Sequence, residues 1–162
     1  MRTSTWRRRC GPRQMIALDT NILARFYVDD PNDPEAAKQR PIARAIMTNN
    51  PSLFLPLTVV LELEWVLRAF YRFEAPQIVS VFEHLLGLGH INTEESERIA
   101  AALPLTTAGM DFADALHLAG SDHCEALYTF DDLRFARRAR RLGCAPRVRV
   151  PADETPVAPG KG

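Results

Sequence analysis

The chain has 162 residues, 46% of them apolar and 25% charged, with 20 basic side chains balancing 20 acidic ones. Those proportions describe a globular domain with a full-sized core and exclude a disordered chain, a collagen-like fibre and a small disulfide scaffold. The zero net charge hides an asymmetry. Residues 1–14 carry Arg2, Arg7, Arg8, Arg9 and Arg13 and no acid, residues 134–162 carry eight basic residues against Asp153 and Glu154, and 18 of the 20 acids lie between. Such a basic stretch is either a solvated helix face or a grip for an anion beside an acidic pocket. Cys10, Cys124 and Cys144 are scattered and form no CxxC pair, which argues against a zinc site and points to a reducing, cytoplasmic compartment. No apolar run approaches the roughly 20 residues of a membrane span.

Taken in order, residues 1–14 read as a basic extension, expected either to be disordered or to precede a natural start at Met15. Met15–Leu18 predicts a short buried strand, and Asn21 predicts the cap of a helix over Ile22–Tyr27. Asp29–Pro34 is a turn cluster. Pro34–Met47 predicts a helix in which Pro41 marks a kink or a new start. Leu53–Leu55 predicts a second strand, and Thr58–Arg72 a helix capped by Thr58. Pro76–Leu86 predicts a helix opened by proline, and His90–Asn92 a short strand. Glu94–Ala102 and Asp111–Asp122 predict two more helices. Ala126–Thr129 predicts a buried strand, and Asp132–Leu142 a helix closed by Gly143. Arg147–Val150 predicts a last strand, and 151–162 a flexible Pro-rich tail. Strands alternating with helices predict an α/β domain over 15–150 with a short parallel sheet flanked by helices. In such sheets ligands bind at the carboxyl ends of the strands.

The chemistry-bearing residues follow that rim. Asp19 and Asp131 each close a predicted strand. Glu62 and Glu64 stand two residues apart, so they point about 200° apart on a helix. Glu64 can pair with Arg68 and is expected to face water, while Glu62 shares the apolar stripe and is expected to face inward. Asp111, Asp114 and His117 fall at i, i+3 and i+6 along one helix edge. Asp111 reads equally as a helix cap, and His117 as a supporting or packing residue rather than a ligand. Converging carboxylates repel one another unless a cation joins them. An oxygen-only donor set suits Mg²⁺ or Mn²⁺, and a carboxylate-held ion suits phosphodiester hydrolysis.

In Leu18-Asp19-Thr20-Asn21-Ile22-Leu23, Pro56 to Arg68, Asp111 to Ala119 and Thr129-Phe130-Asp131, the chain resembles the PIN-domain ribonucleases, and among them the VapC-type toxins of bacterial type II toxin–antitoxin modules. The resemblance implies a three-layer α/β/α fold and a Mg²⁺- or Mn²⁺-dependent endoribonuclease. It places the metal-binding, catalytic acids at Asp19, Glu62, Asp114 and Asp131. It gives Thr20, Asn21 and Thr129 orienting roles and Asp111 a less central one. It also implies RNA as substrate, a small antitoxin covering the site, and a homodimer. The RNA backbone is expected on Arg25, Arg134, Arg137, Arg138 and Arg141. The apolar stretches Ile78–Leu88 and Trp65–Tyr71 read either as dimer surface or as core.

Other classes fit less well. Phosphoaspartate receivers and aspartyl phosphatases need a lysine, and only Lys38 and Lys161 are present, neither near the acids. No Gly-rich phosphate loop appears. A PIN-like nuclease with an RNA-processing or DNA role, and an inactive PIN-like binding module, remain as alternatives.

Overall fold

The computed structural model describes residues 15–151; the expected basic extension over 1–14 and the tail beyond Pro151 lie outside them. The chain runs β1 (Ile16–Ala17), α1 (Thr20–Tyr27), α2 (Pro34–Asn49), β2 (Leu53–Leu55), α3 (Leu57–Ala69), α4 (Ala75–Gly87), β3 (Ile91–Thr93), α5 (Ser96–Thr107), α6 (Phe112–Ala119) and β4 (Ala126–Tyr128). A π-helical turn (Asp132–Ala136), α7 (Arg137–Leu142) and β5 (Arg147–Arg149) follow. This is the expected α/β/α arrangement of short parallel strands flanked by helices.

Pairing is parallel throughout, as helical crossovers between strands require. Ile16 lies opposite Leu53, and Leu53 opposite Ile91, giving the order β1-β2-β3. Leu127 lies opposite Val148, giving a separate pair β4-β5. The strands thus form two sheets, and two expectations of burial are corrected. Met15 and Ile16 are 41% and 48% exposed rather than buried. Ala126–Tyr128 is likewise half-buried to exposed. The buried strands are β2, with Leu53 and Leu55 fully enclosed, and β3, with Ile91.

Apolar helix faces explain the layers. On α4, Ile78, Val79, Val81, Phe82 and Leu85 are all buried, so this stretch is core within the chain. Phe82 stacks on Phe112 of α6, ring centroids 5.0 Å apart. Helix α5 packs on α6 and buries Ile99, Ala102, Leu103 and Thr106.

Several boundaries differ from expectation for local reasons. Asp19, not Asn21, caps α1, its side chain accepting from the Thr20 N–H at 2.8 Å. Helix α3 starts at Leu57 after Pro56 with no cap from Thr58. Instead, the Leu57 N–H donates to the Glu94 carboxylate beyond β3 at 2.8 Å. Helix α2 runs unbroken through the exposed Pro41. Among the described residues no helix is long and apolar enough to cross a membrane.

Candidate active site

The first group of acids sits where β1 hands over to α1. Asp19 is exposed at the start of the helix and tied to the Thr20 amide. Thr20 is buried, and its hydroxyl donates to Glu62 Oε2 at 2.5 Å, joining α1 to α3 across 42 positions of sequence. A cavity of about 300 Å³ opens here, lined by Asp19, Thr20, Asn21, Arg25, Glu62, Phe70 and Tyr71. The Arg25 guanidinium is already engaged: it donates to Asp33 at 2.8 Å, Gln39 at 3.1 Å and the Tyr71 hydroxyl at 3.4 Å. It braces α1 against α2 while forming part of the cavity wall.

The two glutamates of α3 reverse their expected environments. Glu64 is buried and Glu62 is exposed in the cavity. The reason is the partner. Arg68 Nε donates to Glu64 Oε1 at 2.8 Å, and this charge-assisted bond supports a buried carboxylate. The Arg68 guanidinium is in turn held charged chiefly by that bond, with a further contribution from Asp111.

The second group lines a cavity of about 760 Å³ between α6 and the turn after β4. Asp111 is the N-cap of α6, accepting from the Ala113 N–H at 3.0 Å, so the capping reading of this residue holds. Asp114 follows one turn on and is partly buried. Burial pushes its carboxyl above the ordinary carboxylate range, the charges of Asp111 and then Asp131 add to that, and His117 opposes them. Asp131 accepts from the Arg134 N–H at 2.9 Å, and its own N–H donates to the Thr129 hydroxyl at 3.0 Å. Those bonds fix the π-helical turn, which the Ala136 N–H closes onto the Asp131 carbonyl. His117 is exposed and not packed into the core.

The same cavity is walled by Arg134, Arg137, Arg138 and Arg141. Arg138 is docked: its Nη1 donates to the Ala108 carbonyl at 3.2 Å and lies over Gly109. Gly109 has φ +90°, and a Cβ there would stand 3.0 Å from that nitrogen, so glycine serves both the backbone angle and the contact. Sequence reasoning missed this clamp; Phe70 and Tyr71, which with Phe73 form an aromatic cluster expected to serve a dimer or an antitoxin groove, line the first cavity. Only the positive-φ demand at a Gly between two helices hinted at the clamp.

The four acids named from sequence therefore fall in two groups, Asp19 with Glu62 and Asp114 with Asp131. Among the described residues no three acidic, histidine or cysteine side chains stand together closely enough to hold a metal ion. The donor chemistry still fits a hard divalent cation. Every candidate ligand is a carboxylate, and the repulsion that raises Asp114 is the kind a cation relieves.

No curated protein matches the chain. A family model, PIN domain, matches residues 16–141, a span that takes in both acid groups and the clamp. PIN domains are generally metal-dependent nucleases. By that match, and by the parallel α/β/α architecture that carries it, the chain belongs to the PIN domain family.

Proposed function

We propose that the chain is a Mg²⁺- or Mn²⁺-dependent endoribonuclease acting as the toxin of a toxin–antitoxin pair. The observation that carries the nuclease reading is Asp114, a half-buried carboxylate opposed by two neighbouring acids in a cavity walled by four arginines. Carboxylates that need a cation, beside guanidinium groups that attract phosphate, match the two charges of a phosphodiester reaction.

Asp19, Glu62, Asp114 and Asp131 are the residues that would hold the ion. When bound, the metal lowers the pKa of a coordinated water and offsets charge on a phosphoryl oxygen. Thr20 holds Glu62 in place through its hydroxyl. Thr129 fixes the turn that presents Asp131. Arg134, Arg137 and Arg141 receive the phosphate backbone, with Arg138 and Arg25 positioned as parts of the walls. Asn21, Asp111 and His117 are supporting groups. The functional unit is 15–150, flanked by the segments 1–14 and 151–162.

The toxin role is supported by the wording of the four segments quoted from the sequence. On this reading a small antitoxin covers the acids with an arginine or another polar side chain, the toxin is a homodimer, and both act in the cytoplasm. The test is incubation of purified protein with mixed single-stranded RNA in Mg²⁺, Mn²⁺ or EDTA, alongside Asp19→Asn and Asp114→Asn. Cleavage is expected only with metal and only in the wild type. Cleavage that persists in EDTA or in Asp114→Asn overturns the reading. Co-expression with the product of a small neighbouring reading frame should silence the activity, and mass measurement in solution should give a dimer.

A further inference from the structure

Helix α3 carries more than Glu62 toward the first cavity. Trp65 lies three residues on, a neighbour of Glu62 on the helix surface, and is 50% exposed. Phe70, at the end of the helix, is 67% exposed and forms part of the cavity wall with Asp19 and Glu62. The two rings meet edge to face, centroids 5.4 Å apart and planes at 80°. Large aromatic side chains contribute most when buried, and here two are held against each other in solvent beside candidate catalytic acids. Glu62 and Phe70 are eight residues apart, about 12 Å along the axis.

We infer that Phe70, braced by Trp65, is a stacking platform for one base of a single-stranded RNA whose backbone passes the acids. The inference rests on the ribonuclease reading and names the form of its substrate. An aromatic face accepts any base, but only one that is not already stacked inside a duplex. The exposed Arg72, two residues beyond Phe70, supplies a cation for the adjoining phosphate. Two rings cover at most a few hundred Å², well short of the roughly 800 Å² per partner of a stable protein interface. A base fits that area.

The experiment measures binding in EDTA, where no cleavage intervenes. The probes are a fluorescently labelled single-stranded RNA, its duplex, and a strand with abasic positions; the proteins are the wild type, Phe70→Ala, Phe70→Leu and Phe70→Trp. Phe70→Ala should weaken single-strand binding about ten-fold or more and leave binding of the abasic strand unchanged. Phe70→Trp should retain binding, and Phe70→Leu should not restore it. Circular dichroism verifies that each variant is folded, and the exposure of Phe70 favours that. Single-strand binding by Phe70→Ala equal to wild type overturns the platform, as does rescue by leucine. A change of sedimenting mass in Phe70→Ala also overturns it, since the ring would then serve a protein contact. If the wild type cleaves RNA and the Phe70 variants bind normally, the platform alone fails. If the wild type neither binds nor cleaves RNA, the ribonuclease reading falls and the platform with it.

Discussion

The two acid-bearing cavities are built on opposite principles. Around Asp19 and Glu62 every acid is answered by a donor within the chain: the Thr20 amide for one, the Thr20 hydroxyl for the other. Asp114 is disfavoured as a carboxylate first by burial and then by the charges of Asp111 and Asp131, with His117 opposing them. Asp111 and Asp131 are answered by backbone amides at the starts of their own turns, which leaves Asp114 as the acid that the protein does not satisfy. The first cavity is pre-set without a cation. The second holds a carboxylate disfavoured by burial and by like charge, which a cation, or loss of the charge, would relieve.

That contrast can be broken most severely at Asp114. Asp114→Asn is expected to lower RNA turnover by about two orders of magnitude or more, read in single-turnover cleavage at saturating Mg²⁺. The same variant should melt higher than the wild type in EDTA, because it removes a disfavoured carboxylate. Mg²⁺ at a hundred-fold excess over its Kd should stabilise the wild type by roughly 2.7 kcal/mol and the variant far less. A lower melting temperature for the metal-free variant would show that Asp114 is satisfied after all.

Thr20→Val tests the pre-set cavity. It keeps the volume and removes the hydroxyl that orients Glu62, so metal affinity or activity should fall about 10- to 100-fold, measured by Mn²⁺ calorimetry and cleavage. An unchanged affinity would assign the bond to packing alone. A smaller effect is expected from Arg137→Ala. Losing one phosphate contact should reduce the slope of log affinity against log salt by about 0.7 for single-stranded RNA. An unaltered slope removes Arg137 from the interface.

The smallest effect lies outside both cavities. Asp33 caps α2, accepting from the Glu35 N–H at 2.9 Å, and pairs with Arg25 at 2.8 Å. Backbone hydrogen bonds, foremost from Ala36, hold its carboxyl below the ordinary range, with Arg25 contributing. The stabilisation is therefore present above the unfolded-state pKa and is lost as pH falls through the lowered folded value. Asp33→Ala should melt a few degrees lower at neutral pH and close to the wild type in acid. An equal deficit at both would trace the loss to something other than charge.

Much of this could be read from the residues. Leu53–Leu55 was legible because a short apolar run bounded by Pro51 and Pro56 leaves little choice. Asp33-Pro34 and Asp111 mark helix starts by local chemistry, and Gly143 closes α7 at φ +66° as a helix-ending glycine does. Other features depend on contacts that no local pattern encodes. Helix α5 was expected to stop at Ala102, yet it continues through Pro104 to Thr107. A mid-helix proline costs about 3 kcal/mol, and burial of Leu103 and Thr106 on either side of it offsets that cost. Glu64 was expected in water because periodicity does not reveal how closely Arg68 covers it. The places of Asp19 and Asp131 after strands, and of Asp114 along α6, were legible from the pattern. Their division between two cavities was not, since it depends on side-chain and helix packing that no local pattern encodes.

The clamp at Gly109 links two parts that would otherwise act separately. Arg138 belongs to the basic helix, and the carbonyl it grips lies three residues before Asp111. On the proposed reading, a polyanion gripped by α7 would pull through that one guanidinium on the turn that begins α6. Shortening Arg138 would then release the basic helix from that turn even where no phosphate touches the side chain.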